Sequence, residues 1–422
     1  MQRSLSAEDA RLRAEIREFM TTQVPEELRA KVKAGVPVSA KELTQSQRIL
    51  NAAGYAVPHW PVEWGGRDWT PLQLHIWQSE MQAAGVPMLL PFNVSMVGPV
   101  IAQFGSEEMK ARFLPATANL DIWWAQGFSE PDAGSDLASL RTTAVRDGDE
   151  YVVNGQKTWT TLGQHADWIF CLVRTGLDGG KPVGKKQEGI SFLLIDLDTP
   201  GVEMRPIQLI DGSREVNEVF FTDARVPAEN LVGEENKGWD YAKFLLGNER
   251  TGIGPVGTLK RQLAQTKRYA SEVTRADADV TFLPIGANDT GRRGTSLLAD
   301  PLVAARFAGL EAELMALELT VIRVAGHSSD GKPSPASSIL KIRASQLQQD
   351  VSEIAMDVAG PMSLAWLVDD ESLAATEDDA VVPGWARRSA PAYLNTRKVS
   401  IYGGSNEVQR TIIAGAVLGL KA

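Results

Sequence analysis

Apolar positions recur at helical spacing at both ends of the chain and at strand spacing in its middle. From the start to about residue 118 the spacing predicts helices. One long loop interrupts them at VPHWPVEWGGRDWTP (57–71), whose three prolines and two glycines belong to no regular element. Between 119 and 235 the period changes. Strands are expected over 141–150, 166–175, 189–197 and 215–223, and EYVVNGQKTWTT (150–161) places Asn154-Gly155 between two β-branched or aromatic runs, which predicts a tight hairpin there. Short strands with turn signals and no helical spacers predict an antiparallel barrel or sandwich. After DARVPAENLVGEENKGW (223–239) helical periodicity returns. Phe307, Leu310, Leu314, Leu317, Val321 and Val324 repeat at spacings of three and four, as do Leu347, Val351, Ile354 and Val358, so these helices should pack as a bundle. The expected class is α+β, divided at 1–118, 119–235 and 236–422. The polar stretches 276–295 and 369–391 read as long surface loops.

One position breaks the pattern. In the run GNERTGIG (247–254), counting at helical spacing through Ala242, Leu246, Glu249, Ile253 and Val256 puts a carboxylate on the stripe that faces a core. Its neighbour Arg250 points elsewhere on a helix and cannot neutralise it directly. Glu249 either pairs with something distant or is held ready for chemistry.

Composition narrows the classes. The chain has 422 residues, 43% of them hydrophobic and 23% charged, as in an ordinary globular protein of two or three domains. A net charge of −10 argues against an extended nucleic-acid or anionic-membrane surface but leaves room for a local pocket that takes a phosphorylated ligand. Cys171 is the only cysteine, so no intrachain disulfide forms, and its apolar surroundings in ADWIFCLVRT (166–175) read as those of a buried, inert thiol. His59, His75, His165 and His327 lack metal-ligand spacing, so no structural metal is expected. The charged N-terminal stretch has no apolar core of a signal peptide, and no run is long enough to span a bilayer, which predicts a cytoplasmic protein.

Taken singly, three segments allow plain readings. QGFSEPDAGSDL (126–137) could merely join two strands, GQKTWTT (155–161) could be a plain hairpin strand with Trp159 in the core, and Ser405 in IYGGSNEVQRTII (401–413) could simply cap the last helix. Together, in this order and with VPAENLVGEENKGW (226–239) and NVSMVGPVIAQFGSEEMKARFLP (93–115), they resemble the acyl-CoA dehydrogenase family over nearly the whole chain. The resemblance implies a helical N-terminal domain, a β-barrel and a C-terminal four-helix bundle. It also implies FAD as cofactor, an acyl-CoA substrate, an electron-transfer flavoprotein as acceptor, and a homodimer or homotetramer, with a heteromer containing a sister subunit left open. SMVGPVI, EVNEVFF and RKVSIYGGSNE are most similar to the branch of the family that acts on pimeloyl-CoA, which implies a long or ω-carboxylated acyl chain.

The same resemblance assigns roles. Gln126, Phe128 and Ser129 would lie along the flavin, and Ser135 would meet the CoA ligand and the flavin diphosphate. Trp159 would cover the flavin ring with Thr161 hydrogen-bonded nearby, and Ser405 and Glu407 would contact the cofactor. Two departures stand out. Many members carry the catalytic glutamate directly after the tyrosine of the C-terminal motif, where this chain has Gly403 after Tyr402; another branch places it before an arginine on the first C-terminal helix, which is Glu249 before Arg250. An Arg-x-x-Phe-Gly segment that reaches a neighbouring subunit's FAD in many relatives is missing, with 276–295 in its place and Arg292 or Arg293 as substitutes. The implied reaction removes the α-proton of an acyl-CoA with Glu249, contacts substrate through Arg250 and Ser135, and yields a trans-2-enoyl-CoA. The alternatives are a flavin oxidase or monooxygenase of the same superfamily, and an inactive partner subunit, which would lack a base at both positions.

Overall fold

The computed structural model describes residues 5–178, 181–251, 255–274, 295–325, 336–365 and 382–420. Helices come first: α1 (Ala7–Thr22), α2 (Glu26–Ala34), α3 (Ala40–Ala52), α4 (Pro71–Ala84), α5 (Gly98–Phe104) and α6 (Glu107–Ala118). Hydroxyl side chains start four of them. Ser6 and Ser106 cap α1 and α6, while Ser39 with Glu42 and Thr70 with Gln73 form reciprocal capping boxes on α3 and α4. A π-helical turn, Phe92–Val97, leads into α5. Its buried Asn93 donates to the carbonyls of Thr117 and Ile122 and accepts from the Trp124 amide, so the chain enters the sheet on satisfied hydrogen bonds.

The strands are β1 (Trp124–Gly127), β2 (Thr143–Asp147), β3 (Glu150–Thr161), β4 (Trp168–Arg174), β5 (Leu177–Asp178), β6 (Lys181–Pro182), β7 (Ile190–Asp196), β8 (Val202–Ile207) and β9 (Val216–Pro227). Seven of them form one curled sheet in the order β1-β4-β2-β3-β9-β8, with β7 on the other edge of β4. The sheet is mixed rather than purely antiparallel: β1 and β2 lie end to end along one edge of β4 and both run parallel to it. Strand β4 is apolar on both sides. Phe170 and Leu172 face the helical core, and Ile169, Cys171 and Val173 face the core inside the sheet.

Two expectations are corrected here. Asn154-Gly155 makes no hairpin, because β3 runs straight through it. The turn lies at Gly148 (φ +63°), between β2 and β3, and Gly155 is instead a bulge, where a Cβ would come within 2.6 Å of the Thr142 hydroxyl. Residues 384–391, expected as the end of a loop, are largely helical: they fall in α11 (Gly384–Arg387) and the start of α12 (Ser389–Thr396). Trp385 there stacks on Tyr269 at 4.1 Å, so an apolar anchor outweighed a polar composition. The expected loops at 276–294 and 369–381 lie outside the described residues.

The remaining helices are α7 (Gly238–Thr251), α8 (Val256–Glu272), α9 (Pro301–Ala325), α10 (Ser337–Ala359) and α13 (Asn406–Ala416). Helices α8, α9 and α10 share one core built from Phe307, Leu314, Leu317, Leu347, Val351, Ile354 and Val358, the periodic residues of the sequence. The stripe through Glu249 is divided: Ala242 and Leu246 lie on α7, Val256 opens α8, and Ile253 falls outside the described residues. The two helical regions are locked together by Gln82, buried on α4, whose Oε1 accepts from the amides of Gly257 and Thr258 in the first turn of α8. Among the described residues no helix is long and apolar enough to cross a membrane.

Candidate active site

Strand β1 ends where β3 is irregular. Phe128 is buried edge-on against Phe170 and Phe192, which stack on each other at 5.8 Å, so its side chain is spent on the core and its backbone is held in place. The next residue, Ser129, accepts the amide of Thr158 at 2.9 Å through its carbonyl. The pairing of β3 with β9 slips between Lys157 and Thr160, and in that slip Trp159 adopts φ +61° and stands 57% exposed. A left-handed tryptophan costs of order 1–3 kcal/mol and persists where the surroundings force it. Such strain clusters at functional sites. Among the described residues the side chains of Gln126, Ser129, Trp159 and Thr161 make no hydrogen bond or ion pair, so their polar groups are open to a ligand there.

A buried pair fastens these segments. Lys157 is fully buried; its ammonium donates to Glu130 Oε1 at 2.7 Å and to the Phe128 carbonyl at 3.3 Å. Glu130 also accepts the amides of Arg141 and Thr142 at 2.6 and 2.9 Å. Burial would raise the Glu130 carboxyl, but Lys157 and the amides outweigh it and hold it below the usual carboxylate range. Burial pulls Lys157 below the ordinary lysine value. Neither residue was singled out from sequence, although both lie inside the two quoted motifs; an acid and a lysine flanking flavin-type segments were the available signal. Cys171 behaves as expected, its thiol pushed up to about 12 by burial.

The other positions sit elsewhere. Ser135 is exposed on the loop after β1, next to Asp136, which pairs with Lys186 at 2.7 Å. Ser405 caps α13 by accepting the Val408 amide at 3.3 Å, behind Gly403 and Gly404, both at positive φ. Glu407 pairs with Arg410, and no hydrogen bond or ion pair joins Ser405 or Glu407 to β1 or β3. That C-terminal segment reaches the sheet through Lys398, which pairs with Glu215, and through Asn395, whose Nδ2 donates to Asp211 and Glu215. Glu249 and Arg250 lie on the last turn of α7, and their side chains are outside the described residues. Helix α7 packs on the π-helical turn, α5, β7 and β4, the strand that pairs with β1. Among the described residues no group of His, Cys, Asp or Glu is arranged to hold a metal ion.

Family models for the acyl-CoA dehydrogenase N-terminal, middle and C-terminal domains match residues 6–121, 125–224 and 286–418. The chain belongs to the acyl-CoA dehydrogenase family. It is 34% identical over 413 residues to acyl-CoA dehydrogenase IpdE1 of Mycobacterium tuberculosis, covering 97% of each chain. Among solved structures it is similar to the ChsE4-ChsE5 complex of the same organism, with 32% identity, a TM-score of 0.78 and full coverage of both chains. It is also similar to the Tcur3481-Tcur3483 steroid acyl-CoA dehydrogenase, with 27% identity and a TM-score of 0.79 over the whole of both. Like other acyl-CoA dehydrogenases it is an FAD enzyme that oxidises acyl-CoA thioesters. The residues present fit that cofactor: an exposed aromatic plate on a strained bulge stands beside polar side chains that no other described residue engages.

Proposed function

We propose that Glu249 is the base that removes the α-proton of the acyl-CoA. The observation that supports this is the seat of its helix: α7 packs on β4 and β7, and β4 pairs with β1, which carries Gln126 and leads into Ser129. Tyr402 is followed by Gly403, which has no group to take a proton, so the other position used in the family is closed to this chain. Desolvation raises a carboxylate's proton affinity, which is the direction a general base requires. Bound FAD supplies the acceptor for the β-hydride. Trp159 shields the face away from the substrate, Thr161 and Ser129 offer hydrogen bonds, Ser405 and Glu407 complete the cofactor contacts, and Ser135 and Arg250 serve the CoA end. Glu249→Gln keeps shape but removes the proton acceptor. It should leave FAD bound and lower flavin reduction by about 10² to 10⁴ in anaerobic stopped flow. Near-normal reduction in a destabilised variant would reject the role, since that is the signature of a structural ion pair.

The acyl group is proposed to be bulky and ring-bearing, as in the steroid acyl-CoA dehydrogenase that the whole chain superposes on. The long or ω-carboxylated chain implied by the sequence wording is the competing reading. A panel of steroid side-chain, pimeloyl, octanoyl and butyryl thioesters with an artificial acceptor decides between them: highest kcat/KM on pimeloyl-CoA rejects the ring-bearing assignment. The proposed acceptor is an electron-transfer flavoprotein, and the proposed assembly is a heteromer with a sister subunit, supported by the two-component complex among the solved relatives.

A further inference from the structure

In a regular strand Lys157 and Trp159, two residues apart, would face the same side. Here they do not. Lys157 and Thr158 are both buried in succession, Trp159 is exposed, and Thr160 is fully buried again, which is the trace of a bulge that begins directly after Lys157. The lysine is therefore the last regular residue before the turn that throws the tryptophan outward. Its ammonium is bonded to the carbonyl of Phe128, one residue before Ser129, and to the carboxylate of Glu130, one residue after. That carboxylate in turn gathers the amides of Arg141 and Thr142 on the return of the loop. One ion pair thus ties three backbone stretches on either side of the Ser129 carbonyl to Thr158 amide bond.

We propose that Glu130 and Lys157 form a positioning pair that sets the gap between Ser129 and Trp159, the slot in which the flavin ring is held. Neither residue touches the reacting atoms. A buried ion pair is a poor device for stability alone, because apolar residues of similar volume commonly replace one without loss, whereas its directed hydrogen bonds hold backbone groups in a defined geometry. The pair also keeps an unpaired bulge from relaxing inward, where Trp159 would follow Lys157 into the core.

The proposal rests on the reading that Ser129 and Trp159 flank the flavin, so the holoenzyme is compared with three variants. Trp159→Gly tests that reading by itself: unchanged FAD affinity there overturns the flavin contact and the pair's role with it. The double variant Glu130→Leu with Lys157→Met removes both charges together. It is expected to keep the thermal midpoint of the apoprotein within a few degrees, to weaken FAD binding about tenfold or more, and to lower kcat with little change in KM for the acyl-CoA. Glu130→Gln with Lys157 retained should recover part of the FAD affinity, since a neutral acceptor still orients the ammonium. A double variant that binds and reduces FAD as the parent does, while Trp159→Gly does not, overturns the pair alone; so does a double variant that fails to fold, which marks the pair as purely structural. Amide hydrogen exchange on the unaltered apoprotein gives a second readout. The amides of Arg141, Thr142 and Thr158 should stay protected without FAD, and their loss of protection on FAD removal would show that the cofactor, not the pair, orders the slot.

Discussion

Glu42 and Cys171 owe their chemistry to what surrounds them. Cys171 faces the sheet interior, where burial outweighs the pull of the nearby Lys157 ammonium and leaves the thiol unionised. Glu42 is drawn the other way. It accepts from Lys31 at 2.5 Å and from the Ser39 amide at 2.9 Å in the capping box of α3, which lowers its carboxyl from 4.5 to about 2. A depressed carboxyl stabilises the folded state above its unfolded value, and the stabilisation is lost as pH falls from about 4.5 towards about 2. Both partners are partly exposed, with side-chain exposures of 44% and 27%, so solvent screening cuts the contribution to about 1 kcal/mol. Glu42→Gln should therefore lower stability by about 1 kcal/mol near pH 7, with more than half of the difference gone by about pH 3. Urea unfolding of both proteins at the two pH values measures it, and a gap that stays constant rejects the account.

Strand β3 shows how an element can be right in kind and wrong in detail. Its β-branched and aromatic residues were legible as strand, and its Asn-Gly pair imitated a hairpin turn. Pairing with β9 on both sides of Gly155 was the competing force, and it outweighed a local turn preference at the cost of a bulge. The second irregularity, at Trp159, carries a prediction. Glycine enters the left-handed region without the penalty of about 1–2 kcal/mol that a side chain meets there. Trp159→Gly should leave the apoprotein as stable as the parent or more stable by up to about 1 kcal/mol, while FAD binds about tenfold more weakly. Thermal unfolding of the apoprotein and a fluorescence titration with FAD check both halves. A less stable apoprotein that binds FAD normally would make Trp159 a packing residue.

Over the whole molecule, helical and β parts meet through single buried side chains and short polar ties: Gln82 against α8, Asn93 against β1, and Lys398 with Asn395 against the start of β9. These ties cross between segments far apart in sequence, so the site depends on all three parts being assembled. The proposed heteromer has a consequence at this scale. Produced with its sister subunit, the chain should elute as a yellow complex of both chains, and produced alone it should hold less FAD per chain. Light scattering and the ratio of flavin to protein absorbance measure this; a homo-oligomer fully loaded with FAD and active without any partner rejects the sister subunit.

Sequence by itself determined the order helical, β, helical, the residues of the bundle core, the inert cysteine and the motifs that mark the family, because each depends on local spacing or on wording that survives without coordinates. Tertiary structure alone decided the mixed sheet, the turn at Gly148 in place of Asn154-Gly155, and the helical structure within 384–391, because strand pairing and the Trp385 stack on Tyr269 act between residues distant in the chain. It alone decided that Phe128 turns into the core, that Trp159 turns out of it, and that Glu130 reaches Lys157. A period of two places both Lys157 and Trp159 on one face. Only the slip against β9 separates them, and a register slip is a property of two strands together, which no single stretch of sequence contains.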